Sequence, residues 1–169
     1  MFIYKDIVSG DEMFTNSYPT KFLDDALIEI EGKPLTVSSA IDDSLIGGNA
    51  SAEGGAEALL DSSKTGIDFV IASNLQILAM TKPDFKVYIK AYMVKIIERL
   101  KANAPDRIPI FKTAANNFIT KVLASFNEWE FYVGSSINPE GSVGFLNYRE
   151  DQVTPYMVFF QDGFKSEKQ

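Results

Sequence analysis

The sequence predicts an α+β fold in which a largely antiparallel sheet accompanies a single pair of helices. Segments rich in aromatic and β-branched residues stand both before and after one region of helical periodicity, without regular alternation of strand and helix. The chain has 169 residues, of which 46% are hydrophobic and 12% aromatic, enough for one domain with a sizeable core. We therefore expect a single domain over residues 1–169.

The region 82–126 predicts a helical hairpin. Thr81 can cap the first helix, and Asp84 complements the positive end of that helix. Apolar residues then recur at steps of three and four. Pro105 and Pro109 interrupt this pattern and mark a turn, after which a second amphipathic helix runs to the end of the region.

The rest of the chain divides into strands and one long loop. Seven segments have the composition of strands: 2–8, 27–31, 67–72, 75–80, 128–133, 143–149 and 156–161. The segment 38–66 is rich in Gly, Ala and Ser and holds five acids against one lysine. It has neither the apolar periodicity of a helix nor that of a strand. It predicts a long, mobile acidic loop.

The charge of the chain is unevenly distributed. The formal net charge is −7, which argues against direct binding of nucleic acid. The region 82–126 nevertheless holds nine cations and three anions, whereas the rest holds seven cations and twenty anions. We expect a basic hairpin set on an acidic body.

Histidine and cysteine are both absent, and this excludes many functions. The chain can have no disulfide, no Ser-His-Asp triad and no Cys/His zinc site. Glycine-rich phosphate loops are also missing. We expect a protein that is not an enzyme, with no zinc and no organic cofactor, and a monomer is the simplest state. The start lacks a signal-peptide pattern and no segment suits a bilayer span, so we expect a cytoplasmic protein that binds no membrane.

Two blocks of sequence resemble the signatures of the translationally controlled tumour protein family. The first runs Ile-Asp-Asp-Ser-Leu-Ile-Gly-Gly-Asn-Ala-Ser-Ala-Glu-Gly over 41–54, and the second covers 126–151. Residues 3–6, 11–14 and 167–168 agree as well. Departures are Ser135, where the family usually has Glu, a thinned acidic tract after the first block, and the absence of the terminal Cys of many animal members.

This resemblance implies a β-tent fold with a protruding helical hairpin, similar to Rab GTPase chaperones and methionine sulfoxide reductase B. The β-strand and hairpin pattern read from the residues agrees with it. Those proteins depend on metal-binding or catalytic cysteines, which this chain lacks. Their chemistry is therefore not carried over.

The resemblance also implies that the hairpin binds tubulin or microtubules. A row of cations would accelerate docking onto the acidic tails of tubulin, and we assign this contact to Lys86, Lys90, Lys95 and Arg99. The alternative is a solvated helix face with no partner. The family is further linked to growth, protein synthesis, a translation elongation factor and the cytoskeleton.

The acidic pair Asp11 and Glu12 is a second candidate site. The resemblance implies contact with a Rheb-like small GTPase, with Glu12 at the position of the acid placed in nucleotide exchange. A carboxylate there would compete for Mg²⁺ or for the lysine that holds the nucleotide phosphates. The alternative is an acidic turn without a partner.

The acidic loop carries the remaining candidates. Asp42 to Glu53 spans twelve positions, as an EF-hand loop does, but Ile46 occupies a ligand position and no helices flank the segment. We expect at most weak calcium binding, on the order of 10⁻⁴–10⁻³ M or weaker, with Asp42, Asp43 and Glu53 as ligands. Ser44 follows acids and precedes a leucine, a context that suits phosphorylation by a polo-like kinase.

Overall fold

The computed structural model describes residues 1–36 and 65–168. Within these ranges the chain forms strands β1 Phe2–Asp6, β2 Glu12–Thr15, β3 Thr20–Leu23, β4 Leu27–Glu31, β5 Pro34–Thr36, β6 Thr65–Ile67, β7 Gln76–Ile77, β8 Glu130–Val133, β9 Gly144–Tyr148, β10 Pro155–Phe160 and β11 Phe164–Lys168. The α-helices are α1 Asp68–Ala72, α2 Lys82–Asn103 and α3 Ile108–Ala124. Single 3₁₀ turns occupy Pro105–Arg107, Phe126–Glu128 and Gln161–Gly163.

The strands form three sheets. The largest has six strands in the order β3-β4-β10-β9-β8-β7, and a three-stranded sheet has the order β11-β1-β2. A two-stranded ribbon joins β5 to β6. Every strand pair in the described ranges is antiparallel. The predicted α+β fold with an antiparallel sheet is confirmed.

Two of the strand predictions are wrong over part of their length. The segment predicted as a strand at 67–72 is a short helix from Asp68, whose Oδ1 accepts a hydrogen bond from the Phe69 amide at 2.7 Å. Short apolar runs do not distinguish a buried helix from a strand. Within the segment 75–80 only Gln76–Ile77 forms a strand, after Asn74 turns the chain with a φ of 53°.

The helical hairpin follows its sequence signals. Thr81 Oγ1 accepts from the Asp84 amide at 3.2 Å, and the Asp84 side chain accepts from the Thr81 amide at 3.2 Å. This capping box satisfies backbone donors that the first turn leaves free. The second helix ends at Ala124, two residues before the predicted end.

The six-stranded sheet separates two cores, and β10 contributes to both. Val158 and Phe160 belong to the core beneath the hairpin, whereas Met157 and Phe159 belong to the core beneath the three-stranded sheet. On the hairpin side, α3 places Phe118 edge-on to Phe160, with centroids 5.9 Å apart. Such aromatic pairs contribute about 0.5–1.5 kcal/mol beyond area burial. The hairpin is thus packed along the sheet, and only its outer side meets solvent.

None of the helices in the described ranges is both long and apolar enough to cross a lipid bilayer.

Candidate interaction surface of the helical hairpin

The four cations assigned to tubulin do not form one row on α2. Lys86 and Lys90 are exposed, whereas Lys95 and Arg99 are partly buried. Lys95 follows Lys86 by nine positions, which at 3.6 residues per turn is two and a half turns, so the two residues lie on opposite sides of the helix axis. The expectation of a single solvent-facing row is therefore wrong: the cations occupy opposite flanks of α2.

Lys95 and Arg99 each form a contact with another part of the chain. Lys95 Nζ lies 3.1 Å from Glu140 Oε1. Arg99 Nη1 donates to the Asp162 carbonyl at 2.9 Å. Both contacts connect α2 to segments that belong to the β part of the fold. The Arg99 bond is partly buried and helps to position the helix, whereas the Lys95–Glu140 pair is exposed.

Two tyrosines on the same flank complete this docking. The Tyr88 hydroxyl donates to the Gly141 carbonyl at 2.6 Å, and the Tyr92 hydroxyl lies 2.6 Å from Ser142 Oγ. Ser142 Oγ donates to the Gly163 carbonyl at 3.2 Å, so it accepts from Tyr92. Burial raises the pKa of Tyr88 and of Tyr92, which keeps both hydroxyls protonated and able to donate.

The buried carboxylate of Asp6 holds the loop that receives α2, residues 138–143, which we call the docking loop. Asp6 Oδ2 accepts from the Ser142 amide at 2.9 Å and from Ser9 Oγ at 2.7 Å. Its other oxygen accepts from the Val8 amide at 3.0 Å. Gly141 passes so close that a Cβ there would meet Asp6 Oδ2. Asp6 therefore joins β1, its following turn and the docking loop.

Arg107 anchors the turn of the hairpin. Its Nε and Nη2 donate to the two carboxylate oxygens of Asp162 at 2.7 and 3.0 Å. Nη2 also donates to the Asp25 carbonyl at 2.6 Å. The hydrogen bonds that Arg107 donates to Asp162 raise the pKa of Arg107. This bidentate pair fixes the end of α2 against the sheet.

The outward side of α2 combines lysines with exposed valines. We call Lys86, Val87, Lys90 and Val94 the outer hairpin face. Val87 is 73% exposed and Val94 52% exposed. Six hairpin lysines have no carboxylate within 4.0 Å in the described part of the chain: Lys82, Lys86, Lys90, Lys101, Lys112 and Lys121. The positive potential predicted for the hairpin is carried by these lysines.

The acidic pair at β2 is split between two roles. Asp11 Oδ2 accepts from Ser136 Oγ at 2.6 Å and from the Ser136 amide at 3.2 Å. A Cβ at Gly134 would collide with the Asp11 carboxyl group. Asp11 therefore holds the turn after β8, whereas Glu12 is exposed opposite Lys5 at the start of the edge strand β2.

The calcium and phosphorylation candidates lie outside the described residues. This applies to Asp42, Asp43, Glu53 and Ser44, and to all of the predicted acidic loop except its last two positions. Within residues 1–36 and 65–168, no group of three or more acidic side chains could hold a metal ion.

Comparison with known proteins identifies the family. A family model described as translationally controlled tumour protein matches residues 1–165. The chain belongs to this family. The translationally controlled tumour protein homolog of Branchiostoma belcheri is 49% identical over 168 residues, and the human translationally controlled tumour protein is 46% identical over 171 residues. Both alignments cover 99% of each chain.

A solved structure of the translationally controlled tumour protein family supports the fold. The translationally controlled tumor-associated protein p23fyp of Schizosaccharomyces pombe is 40% identical, with a TM-score of 0.84 and coverage of 100% of both chains. The family resemblance and fold class predicted from the sequence are confirmed.

The second signature block, 126–151, contains the loop on which α2 docks. Within this loop the Gly141 amide donates to the Asn138 carbonyl at 3.0 Å.

Most residues that position the hairpin were not predicted from the sequence. Asp6 carried a weak local signal, because a carboxylate before Ser9 and Gly10 is typical of a turn that follows a strand. Ser142 and Asp162 carried none, since their partners Tyr92 and Arg107 lie 50 and 55 residues away.

Proposed function

We propose that this protein is a non-enzymatic interaction protein that captures acidic partner segments, among them the tails of tubulin, on the outer hairpin face. The observation that carries the proposal is the exposure of Lys86 and Lys90 beside two exposed valines. The remaining surface is dominated by acids, so an acidic partner is repelled elsewhere and steered to the hairpin. The valines add apolar contact once the charges have met.

Lys95 and Arg99 support this function indirectly. The partly buried hydrogen bond of Arg99 helps to hold α2 in place, and Lys95 forms an exposed ion pair with Glu140. Because they lie on the opposite flank, we expect them to make no direct contact with a partner seated on Lys86 and Lys90.

Microtubule co-sedimentation tests this proposal. Lys86→Glu/Lys90→Glu is compared with Lys33→Glu/Lys165→Glu, which changes the net charge equally at exposed lysines outside the hairpin. At low salt we expect the hairpin variant to lose co-sedimentation and the control to retain most of it, and we expect high salt to weaken the wild type. Equal loss in both variants would show that total charge alone matters, and unchanged binding of the hairpin variant would remove the outer hairpin face from the function.

A second candidate function is promotion of nucleotide exchange on a Rheb-like small GTPase. The observation that favours it is the exposure of Glu12 on an edge strand, where its carboxylate is accessible to a partner. Nucleotide release is measured with wild type, Glu12→Val and the control Glu128→Val, which removes an exposed acid elsewhere. We expect slower release with Glu12→Val alone. Equal rates for all three proteins would exclude Glu12.

We also propose weak calcium binding by Asp42, Asp43 and Glu53, and phosphorylation at Ser44. The support is the resemblance to the family and the clustering of acids in the sequence. If isothermal titration calorimetry detected no heat of binding at millimolar calcium, the proposed calcium binding would be contradicted. The same resemblance supports action in the cytoplasm and at the cytoskeleton, with a translation elongation factor as a further partner.

A further inference from the structure

A cleft opens where the carboxyl end of α2 meets β3 and β11. Its volume is about 340 Å³, within the range of small-ligand sites. Tyr4, Phe22 and Leu100 provide apolar walls, and Phe22 is 59% exposed. Arg99 and Gln161 provide polar groups at the same cleft. Six of the twelve lining residues are apolar or aromatic and six are polar or charged. This mixed lining suits a ligand that has an apolar body and a charged end.

One guanidinium of the cleft, that of Arg99, has no carboxylate partner. Arg107 and Asp162 both line the cleft and pair through two hydrogen bonds of 2.7 and 3.0 Å, and Asp25 Oδ2 lies 3.8 Å from Arg107 Nη1. Arg99 has only the Asp162 carbonyl as a partner, and no carboxylate of the described ranges lies within 4.0 Å of it. A partly buried guanidinium is stabilised by an anion that replaces lost hydration.

Several side-chain hydrogen-bonding groups of the cleft also have no partner among the described residues. The bond of Arg99 to Asp162 uses Nη1, and its Nε and Nη2 have no acceptor among the described residues. These two groups form the planar edge that matches a carboxylate with two parallel hydrogen bonds. The side chains of Gln161 and Ser166 line the cleft and likewise have no hydrogen-bond partner in the part of the chain that the structure describes.

We propose that this cleft binds a small carboxylate ligand with an aromatic or apolar body. The carboxylate meets the Nε and Nη2 groups of Arg99, and the ring lies against Phe22 and Tyr4. This site is separate from the outer hairpin face, because Arg99 and Lys86 lie on different flanks of α2. Arg99 is partly buried and lies apart from Lys86 and Lys90, and in this proposal it binds a ligand of its own.

Titration of the ¹⁵N-labelled full chain followed by NMR tests the site with three probes. 3-Phenylpropionate has both proposed features, 3-phenylpropanol lacks the charge, and inorganic phosphate lacks the ring. We expect saturable shifts of the Asn103, Gln161 and Ser166 amides with phenylpropionate, and affinities about tenfold weaker for the other two probes. Equal affinity for the alcohol or for phosphate would overturn the proposed ligand class. Absence of saturable shifts with phenylpropionate up to about 10 mM would overturn the site.

Variants then connect the binding to the named residues. Arg99→Gln should weaken phenylpropionate about tenfold, whereas Lys101→Gln, an exposed neighbour outside the cleft, should bind as wild type. Phe22→Ser removes an exposed ring without breaking a side-chain hydrogen bond, and it should weaken phenylpropionate but not phosphate. Wild-type affinity in either Arg99→Gln or Phe22→Ser would contradict the proposal, and unchanged spectra outside the cleft confirm that each variant is folded.

Discussion

Loss of Arg107 should undo the anchor at the turn of the hairpin. Arg107→Met keeps a side chain of similar length but leaves the Asp162 carboxylate without its two donors. The Asp162 side chain is 7% exposed and that of Arg107 is 23% exposed. The variant therefore leaves a charge buried and unpaired at the point where α2 and α3 meet the sheet.

The expected cost follows from this burial. Removal of one partner of a fully buried ion pair destabilises a protein by about 3–5 kcal/mol. Because Arg107 is partly solvated, the value should fall at the lower end, about 3 kcal/mol of unfolding free energy. For a chain of this size the midpoint of thermal unfolding should fall by about 6–12 °C.

Urea unfolding of five proteins measures the effect. Wild type, Arg107→Met, Asp162→Asn and the double variant form a thermodynamic cycle, and Lys112→Met is an exposed control expected within about 0.5 kcal/mol of wild type. The double variant should lose at least about 1 kcal/mol less than the sum of the single variants. A loss below about 0.5 kcal/mol for Arg107→Met, or strict additivity, would refute the anchoring role.

Three further predictions concern the packing of the hairpin and the sheet. Tyr92→Phe should cost about 1 kcal/mol in urea unfolding, because it removes the hydroxyl beside Ser142; an unchanged midpoint would contradict the docking network. Gly144→Ala should lower the free energy of unfolding by about 1–3 kcal/mol, since a Cβ there would meet the Met157 sulfur atom. A variant as stable as wild type would show that the neighbouring side chains can move to make room for the methyl group. Burial raises the pKa of Tyr132 to about 12 from its ordinary value of 10.0. The unfolded chain releases this proton first, so stability should fall as the pH rises from 10 to 12. Tyr132→Phe should reduce that fall, and identical slopes for both proteins would contradict the raised pKa.

The hairpin was predictable because its signals are local. The Thr81 cap, the prolines near the turn and the apolar spacing each act within one or two helical turns. The positions of the cations were also encoded in the spacing: the step of five from Lys90 to Lys95 moves the charge to another flank of α2. The prediction of a single row did not take into account this change of direction about the helix axis.

Four strands of the structure, β2, β3, β5 and β11, were not predicted from the sequence, and they depend on tertiary contacts. β11 reads Phe-Lys-Ser-Glu-Lys, and β3 is a strand of four residues at the edge of the large sheet. Edge strands are often short and carry charged residues, and such sequences are difficult to distinguish from loops. The docking loop is likewise set by distant partners, since Asp6 and Ser142 are 136 residues apart in sequence. No local pattern could have joined them.

The outer hairpin face is tested most directly by NMR titration of the ¹⁵N-labelled chain with a peptide of ten glutamates. We predict that the largest saturable shifts cluster on the exposed side of α2 around Lys86, Lys90 and Val94, and that they vanish at high salt because the contact is electrostatic. Shifts centred on another surface, or shifts on α2 that do not depend on salt, would contradict capture of acidic segments by this face.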